Sequence, residues 1–323
     1  MKPPRAAARP HPADILIRVR PGETVAVAVV AGEPVEYRAE KSDAPSRLGA
    51  LYAGRVRRVA LALDAAFINL GVDPGLAEDG FLPLTAKKKL REGDAVVVEI
   101  VRDAEGGKGP RLARRADPDG AAQDGPVPRL MRPAPALGQR MVRDWPGPIG
   151  RIVADDVDTL LALKAFCRDH CPQALDKIAR FARGGDMFES EGIADRLEEL
   201  LAPWVALPSG GRINIAVTPA LIAIDVDSGR DADAQSAEDT ARRVNAEAAT
   251  EIARQIRLRG LSGLIVAGFL PLRLAADRAR VLAILTRAAA GDPCGLTVGG
   301  FTRFGLVEMI RARLPQSRAR GKP

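Results

Sequence analysis

The stretch from Leu221 to Phe269 constrains this chain more than any other. It opens with LIAIDVDSGR, in which Leu221, Ile222, Ile224 and Val226 favour an extended backbone. Side chains alternate faces along a strand, so Asp225 and Asp227 point the same way. From Asp239 to Arg259 the period changes. Val244, Ala248, Ile252 and Ile256 recur at four-residue steps, and Arg and Glu fill the other face. Asp239 can accept from the first orphan amides of this helix, and Gly260 supplies the stop. Leu264 to Ala267 then forms a second apolar strand. Strand–helix–strand implies a parallel pair with a right-handed crossover. Two carboxylates on one strand face, beside the Ser228-Gly229 turn, are the strongest chemical signal in the chain. They read either as reacting or metal-holding groups or as structure, with Asp227 starting the turn and Asp225 pairing with an arginine.

The neighbouring segments extend this unit. Pro208-Ser209-Gly210-Gly211 is a turn leading into a strand from Arg212 to Val217, which Thr218-Pro219 folds back onto the Asp225 strand. Ala275 to Ala290 reads as a helix, Leu296 to Gly299 as a strand, and Leu306 to Leu314 as a helix opened by Arg303-Phe304-Gly305. The predicted order from Arg212 is ββαβαβα, an α/β layer. Nearer the start, Asp14 to Val19, Thr24 to Ala31 and Pro34 to Arg38 form a meander. From Gly49 the strands become short and glycine-separated: GALYAGRVRRVALAL, AAFINLG, GFLPL, DAVVVEIVRD after the basic run at Lys87, and a last strand at Arg111-Leu112. Five strands in so short a span predict a small closed barrel of OB type. Ala116 to Gly150 holds seven prolines and reads as a linker with one short strand at Gln139 to Val142. Beyond it lie a strand at Ile149 to Ala154, helices at Asp155 to Cys167 and Ser190 to Leu201, and an ambiguous segment from Ala174 to Arg183.

Composition enters where partners are in question. The net charge of +7 comes mainly from arginine, whose fork suits phosphate and so points to nucleic acid. A GC-rich genome that substitutes Arg for Lys gives the same composition. Within the barrel, Phe67 and Phe81 lie on consecutive strands, and Lys108 sits in the loop GGKGP. Surface phenylalanines on such a barrel stack bases while basic residues hold phosphates, which points to single-stranded nucleic acid. The alternative is that both rings are barrel core, the commoner place for phenylalanine in a strand. The three cysteines argue against a disulfide framework. Cys167, His170 and Cys171 resemble half a zinc site without a second half, and a helix end with ordinary thiols is the simpler reading. No apolar run is long enough to span a membrane. The basic, proline-rich start has no signal-peptide core, so a disordered arm and a cytoplasmic location are expected.

These segments, taken together, resemble the ribonuclease E/G family over most of the chain. YAGRVRRVALALDAAFINLG with GFLPL is similar to its RNA-binding barrel. VALPSGGRINIAVTPALIAIDVDSGR, NAEAATEIARQIRLRGLSGLIV and TRFGLVEMIRARL are similar to its catalytic part. The resemblance implies an α/β (α+β multidomain) chain: an RNase H-like subdomain (14–46 with 149–206), an inserted OB-fold barrel (47–115), a linker (116–148) in place of a 5′-phosphate sensor, and a DNase I-like catalytic-type domain (207–316). A disordered arm (1–13) and a tail (317–323) flank them. It implies endonucleolytic cleavage of single-stranded RNA with Mg²⁺. Asp225 falls on the first metal-binding aspartate, and Asp227 on a neighbouring asparagine that orients the site. Phe67, Phe81 and Lys108 fall on barrel residues that grip RNA, and Arg303 on a basic residue of the catalytic part.

Three departures qualify this. Gly268 stands where the family has its second metal aspartate, so metal binding and activity are expected to be weakened. Asp231, Asp233 or Asp277 could compensate. The sensor's place is held by the proline-rich linker, and the zinc-link cysteines are missing, so no zinc-linked tetramer is expected. A catalytically inactive RNA-binding module or subunit is the alternative reading, and a structural partner in an RNA-processing complex is a third.

Overall fold

Apolar alternation builds the first three strands, β1 (Ala13–Arg20), β2 (Glu23–Val30) and β3 (Glu33–Lys41), which pair in sequence order. The computed structural model describes residues 11–71, 79–84, 90–104, 107–117, 125–218, 220–229, 236–290, 292 and 294–312. These residues divide into two units. Arg20–Thr24 and Ala39–Asp144 belong to one, and the other holds residues 11–19, Val25–Arg38 and the described chain from Trp145 onward.

The first unit is a barrel. Its strands are β4 (Leu51–Ala60), β5 (Ala65–Asn69), β6 (Gly80–Pro83), β7 (Ala95–Arg102) and β8 (Arg111–Arg114). The long β4 pairs with β7 through its first half and with β5 through its second, and β6 and β8 run parallel. The order β4-β5-β6-β8-β7 therefore closes on β4, the connectivity of an OB barrel. Tyr52, Val56, Ile68, Leu82, Val98, Ile100 and Leu112 fill the interior.

The linker expectation needs two corrections. A short strand β9 (Arg129–Arg132) pairs with the start of β4, so part of the proline-rich segment is barrel. Gln139 to Val142, expected as a strand, lies inside the helix α1 (Leu137–Asp144). Flanking prolines hide so short a helix from a search for periodicity. Its buried Arg140 also breaks the apolar pattern, and is stabilised there by Glu40 at 3.1 Å and the Pro135 carbonyl at 2.6 Å.

In the second unit the chain returns after the barrel to pair beside β1. β10 (Ile149–Ala154) runs parallel to β1, and β11 (Ile178–Arg180) parallel to β10, completing a five-stranded sheet of order β11-β10-β1-β2-β3. Between them, α2 (Val157–His170) starts at Asp156, whose carboxylate accepts from the Thr159 amide. The ambiguous segment after it resolves into a 3₁₀ turn, Pro172–Lys177, and β11. α3 (Met187–Ser190) and α4 (Ala194–Leu201) follow. Met187, Phe188, Ile193 and Leu197 pack with Leu16, Val25, Val27 and Val153 of the sheet.

The rest of this unit is a six-stranded sheet of order β12-β13-β14-β15-β17-β16. The strands are β12 (Trp204–Ala206), β13 (Arg212–Val217), β14 (Ile222–Asp227), β15 (Gly263–Gly268), β16 (Leu296–Phe301) and β17 (Leu306–Arg311), with helices α5 (Ala237–Leu258) and α6 (Ala275–Ala289). β14 and β15 are parallel, as the strand–helix–strand reading requires. Val244, Ala248, Ile252 and Ile256 of α5 and Val281 and Leu285 of α6 pack on Ile222, Ile224, Val226, Ile265, Ala267, Val307 and Met309. Each of the Val, Leu, Ile and Met side chains among them contributes about 1.5–3 kcal/mol on burial. Both helices thus cover one sheet face, and the face carrying Asp225 stays open.

Two expectations change here. α5 begins two residues earlier than Asp239, and its cap is Ser236, whose hydroxyl accepts from the Asp239 amide. Asp239 is within the first turn, where its charge suits the helix dipole. The segment expected as the helix Leu306 to Leu314 is the strand β17 over its described part. Val307, Met309 and Arg311 are buried, alternating with exposed Leu306, Glu308 and Ile310, which is the period of a half-covered strand. The buried Arg311 disguised it, and Asp292 neutralises that guanidinium at 3.0 Å. Among the described residues no helix is long and apolar enough to cross a membrane.

Candidate functional site

The predicted residues gather in two places, one in each unit. In the barrel, Phe67 on β5 and Phe81 on β6 are register partners, and both are half-buried on the outer face instead of filling the core. Their ring centroids lie 6.0 Å apart with the planes crossed at 82°. The Arg58 guanidinium sits 4.6 Å from the Phe67 centroid and that of Arg111 lies 5.6 Å from Phe81. These four side chains and Lys108 line an open groove of about 840 Å³, together with Arg57, Arg102, Asp79 and Glu92. An aromatic pair flanked by exposed cations can stack bases and hold phosphates. Arg58 and Arg111 were missed by sequence reasoning. The signal was the doublet Arg57-Arg58, which breaks strand alternation: a bulge follows Val56, and both arginines face solvent. Lys87 to Lys89 lie outside the described residues.

The second place is the end of the six-stranded sheet where β14 and β15 finish. Asp225 is exposed and faces Gly268 across the parallel pair. Its partner on the other side is Asn214 of β13, an amide on the same face that hairpin register alone could have found. Gly268 in turn faces Leu306, the first residue of β17, so the turn with Arg303 lies at the same end of the sheet as Asp225. Arg303 is exposed and rests 4.7 Å from the Phe304 ring.

The two aspartates differ in their bonding. Asp227 accepts from the Gly229 amide at 2.9 Å and pairs with Arg212 at 2.9 Å. The Gly229 N–H first, and then the Arg212 charge, hold its carboxyl below the usual carboxylate range. The structural reading thus applies to Asp227, which starts the turn and takes the arginine. Asp225 makes no ion pair with any described residue. The turn itself demands glycine: Gly229 has φ +59°, and a Cβ there would come within 2.1 Å of the Gly210 carbonyl oxygen. From behind, Glu247 of α5 accepts from the amide and hydroxyl of Ser209 at 3.0 and 2.8 Å. Buried Asn245 both donates to and accepts from the Leu270 backbone at 2.9 Å, fixing the chain just past Gly268.

A cation is the obvious test of these residues. Among those described, no three of His, Cys, Asp and Glu converge. Asp277, a suggested compensating acid, is paired with Arg242 at 3.4 Å, and Asp231 and Asp233 lie outside the described residues. Among the described residues the donor set fits a Mg²⁺ that keeps most of its shell as water and substrate oxygen, with Asp225 as a carboxylate without an ion pair at the strand end, and does not form a closed protein cage. The thiols offer nothing here. All three cysteines are buried, and burial pushes Cys167 up to about 11, with Cys171 adding to the shift.

The chain matches the model of the ribonuclease E/G family over residues 115–314, more than half its length. It is 26% identical to ribonuclease G of Escherichia coli K12 over an alignment that covers 94% of this chain and 81% of that protein. It is 24% identical to ribonuclease G of Haemophilus influenzae, covering 94% of this chain and 80% of the relative. Against ribonuclease E of Escherichia coli K12 the identity is 28%, over 94% of this chain and 37% of the relative.

Proposed function

Because this chain belongs to the ribonuclease E/G family, we propose that it is an endoribonuclease-type RNA-processing protein whose barrel groove holds single-stranded RNA and whose Asp225 strand end forms a weakened Mg²⁺ centre. The observation that carries the reading is the crossed pair Phe67 and Phe81 under two guanidiniums. Two bases stacked on rings 82° apart cannot stay parallel to each other. An unpaired strand can splay its bases in this way, and a duplex cannot.

At the sheet end, Asp225 would hold the ion, and Arg303 supplies an exposed cation for phosphate. Asp227 shapes the turn behind Asp225, and Asn245 fixes the backbone beside Gly268. Bound Mg²⁺ would stabilise charge at a phosphate and lower the pKa of water. One observation favours a second reading, RNA binding without cleavage: Gly268 faces Asp225 where a second carboxylate would share the ion.

The test is incubation with labelled single-stranded RNA, with Mg²⁺ or Mn²⁺ against EDTA. Metal-dependent cleavage that Asp225→Asn removes supports the enzyme. Binding without cleavage in any metal leaves the binding module. For the groove, Phe67→Ala with Phe81→Ala should weaken RNA binding at least tenfold, since stacking is worth about 1–3 kcal/mol per base. Unchanged affinity in the folded double variant would sink the groove as an RNA site.

A further inference from the structure

Arg58, Phe67, Phe81 and Arg111 are successive register partners across β4, β5, β6 and β8. They form one row perpendicular to the strands, and three inter-strand steps of about 4.8 Å give it a length of about 14 Å. The row reads cation, ring, ring, cation. Its arginines differ from their neighbours in bonding. Arg57 is held by Asp79 at 3.2 Å and Arg55 by the Gly93 carbonyl at 2.9 Å. The side chains of Arg58 and Arg111 have no ion pair or hydrogen bond with any described residue, and each lies against its ring. A cation–π contact at an exposed site is worth only about 0.5–1 kcal/mol, so it orients a guanidinium without committing it.

We infer that Arg58 and Arg111 bind RNA by bracketing a two-base unit: as bases take the faces of Phe67 and Phe81, the two guanidiniums move from the rings to the flanking phosphates. The inference rests on the reading of the barrel groove as an RNA site. It sets the direction of the strand, which crosses β4, β5, β6 and β8 along the row and does not follow any one of them. It also assigns the β4 bulge a role. The extra residue turns Arg57 and Arg58 outward together, so that one takes Asp79 and the other remains available.

The experiment is RNA binding by fluorescence anisotropy over a series of salt concentrations, with a short single-stranded oligonucleotide. Arg58→Ala and Arg111→Ala should each lower the salt slope by about 0.7, the value of one phosphate contact on a single strand. Each should weaken binding roughly tenfold, as expected for a lost charged hydrogen bond. Arg58→Lys and Arg111→Lys should restore the slope, because the charge remains. Both side chains are exposed, so circular dichroism should show parent-like folding in all four variants. Unchanged slopes in the alanine variants, with binding still lost in the Phe67→Ala/Phe81→Ala variant, would overturn the bracketing and leave the arginines as covers for the rings. Unchanged binding in the phenylalanine variant would instead overturn the groove reading underneath it.

Discussion

Asp225 and Gly268 show how much one position can decide. They are register partners at the open end of the sheet, and a Cβ built on Gly268 would lie 3.4 Å from an Asp225 carboxylate oxygen and 3.7 Å from Leu306. The backbone there is not left-handed, so the space and the conformation both accept a side chain. Gly268→Asp should therefore fold, tighten Mg²⁺ or Mn²⁺ binding and raise RNA cleavage. Asp225→Asn in that background should abolish both. Two facing carboxylates repel without metal, and one is pushed toward protonation. The melting temperature of Gly268→Asp should then rise on adding metal more than the parent's does. Equal metal affinity, equal cleavage and no metal-dependent melting shift would show that one carboxylate does not rebuild the site.

At the scale of elements, β17 carries the sharpest test. A strand and a helix over the same residues bury different side chains. In the strand, Met309 is 2% exposed and Ile310 is 57% exposed. Met309→Ala should cost about 2–5 kcal/mol in urea unfolding. Ile310→Ala should stay within about 0.5 kcal/mol. A helix with Val307 and Ile310 inward would give the reverse order. The same element shows why its sequence does not read as a strand. LVEMIR alternates correctly only when Arg311 is counted as buried, and an arginine is rarely buried without a partner. That partner, Asp292, lies 19 residues away on the chain, beyond the reach of local pattern. The barrel's outer face is a contrasting case. Its alternation was legible strand by strand, but the row of four residues depends on registers between strands, including one bulge.

For the whole molecule, the segment joining the barrel to the second unit bears on how RNA ends are treated. β9 is paired into the barrel, and α1 buries Leu137, Met141 and Val142. These apolar side chains of the segment are thus already buried in the fold. RNA with a 5′-monophosphate and RNA with a 5′-hydroxyl should compete equally for this protein, and any cleavage should proceed at equal rates. Competition binding with the two end forms measures this, and a clear preference for the monophosphate would point to a sensor built elsewhere in the chain.

The amino-acid sequence alone sets the elements whose periods are clean. The strand–helix–strand unit, the five barrel strands and the side of β14 that carries Asp225 and Asp227 all follow from apolar spacing, because burial of one face imposes period two or period three to four. The resemblance to the ribonuclease E/G family marked Gly268 as a ligand position, and the register of β14 and β15 sets it opposite Asp225. The folded structure settles which aspartate is committed. Asp227 takes Arg212 from the neighbouring strand and the amide of its own turn, while Asp225 takes neither. It likewise placed Phe67 and Phe81 outside the barrel and set Arg58 and Arg111 on their faces. Those facts depend on the registers between paired strands, one of them bulged, and on side-chain contacts across them, which no pattern within a single strand encodes.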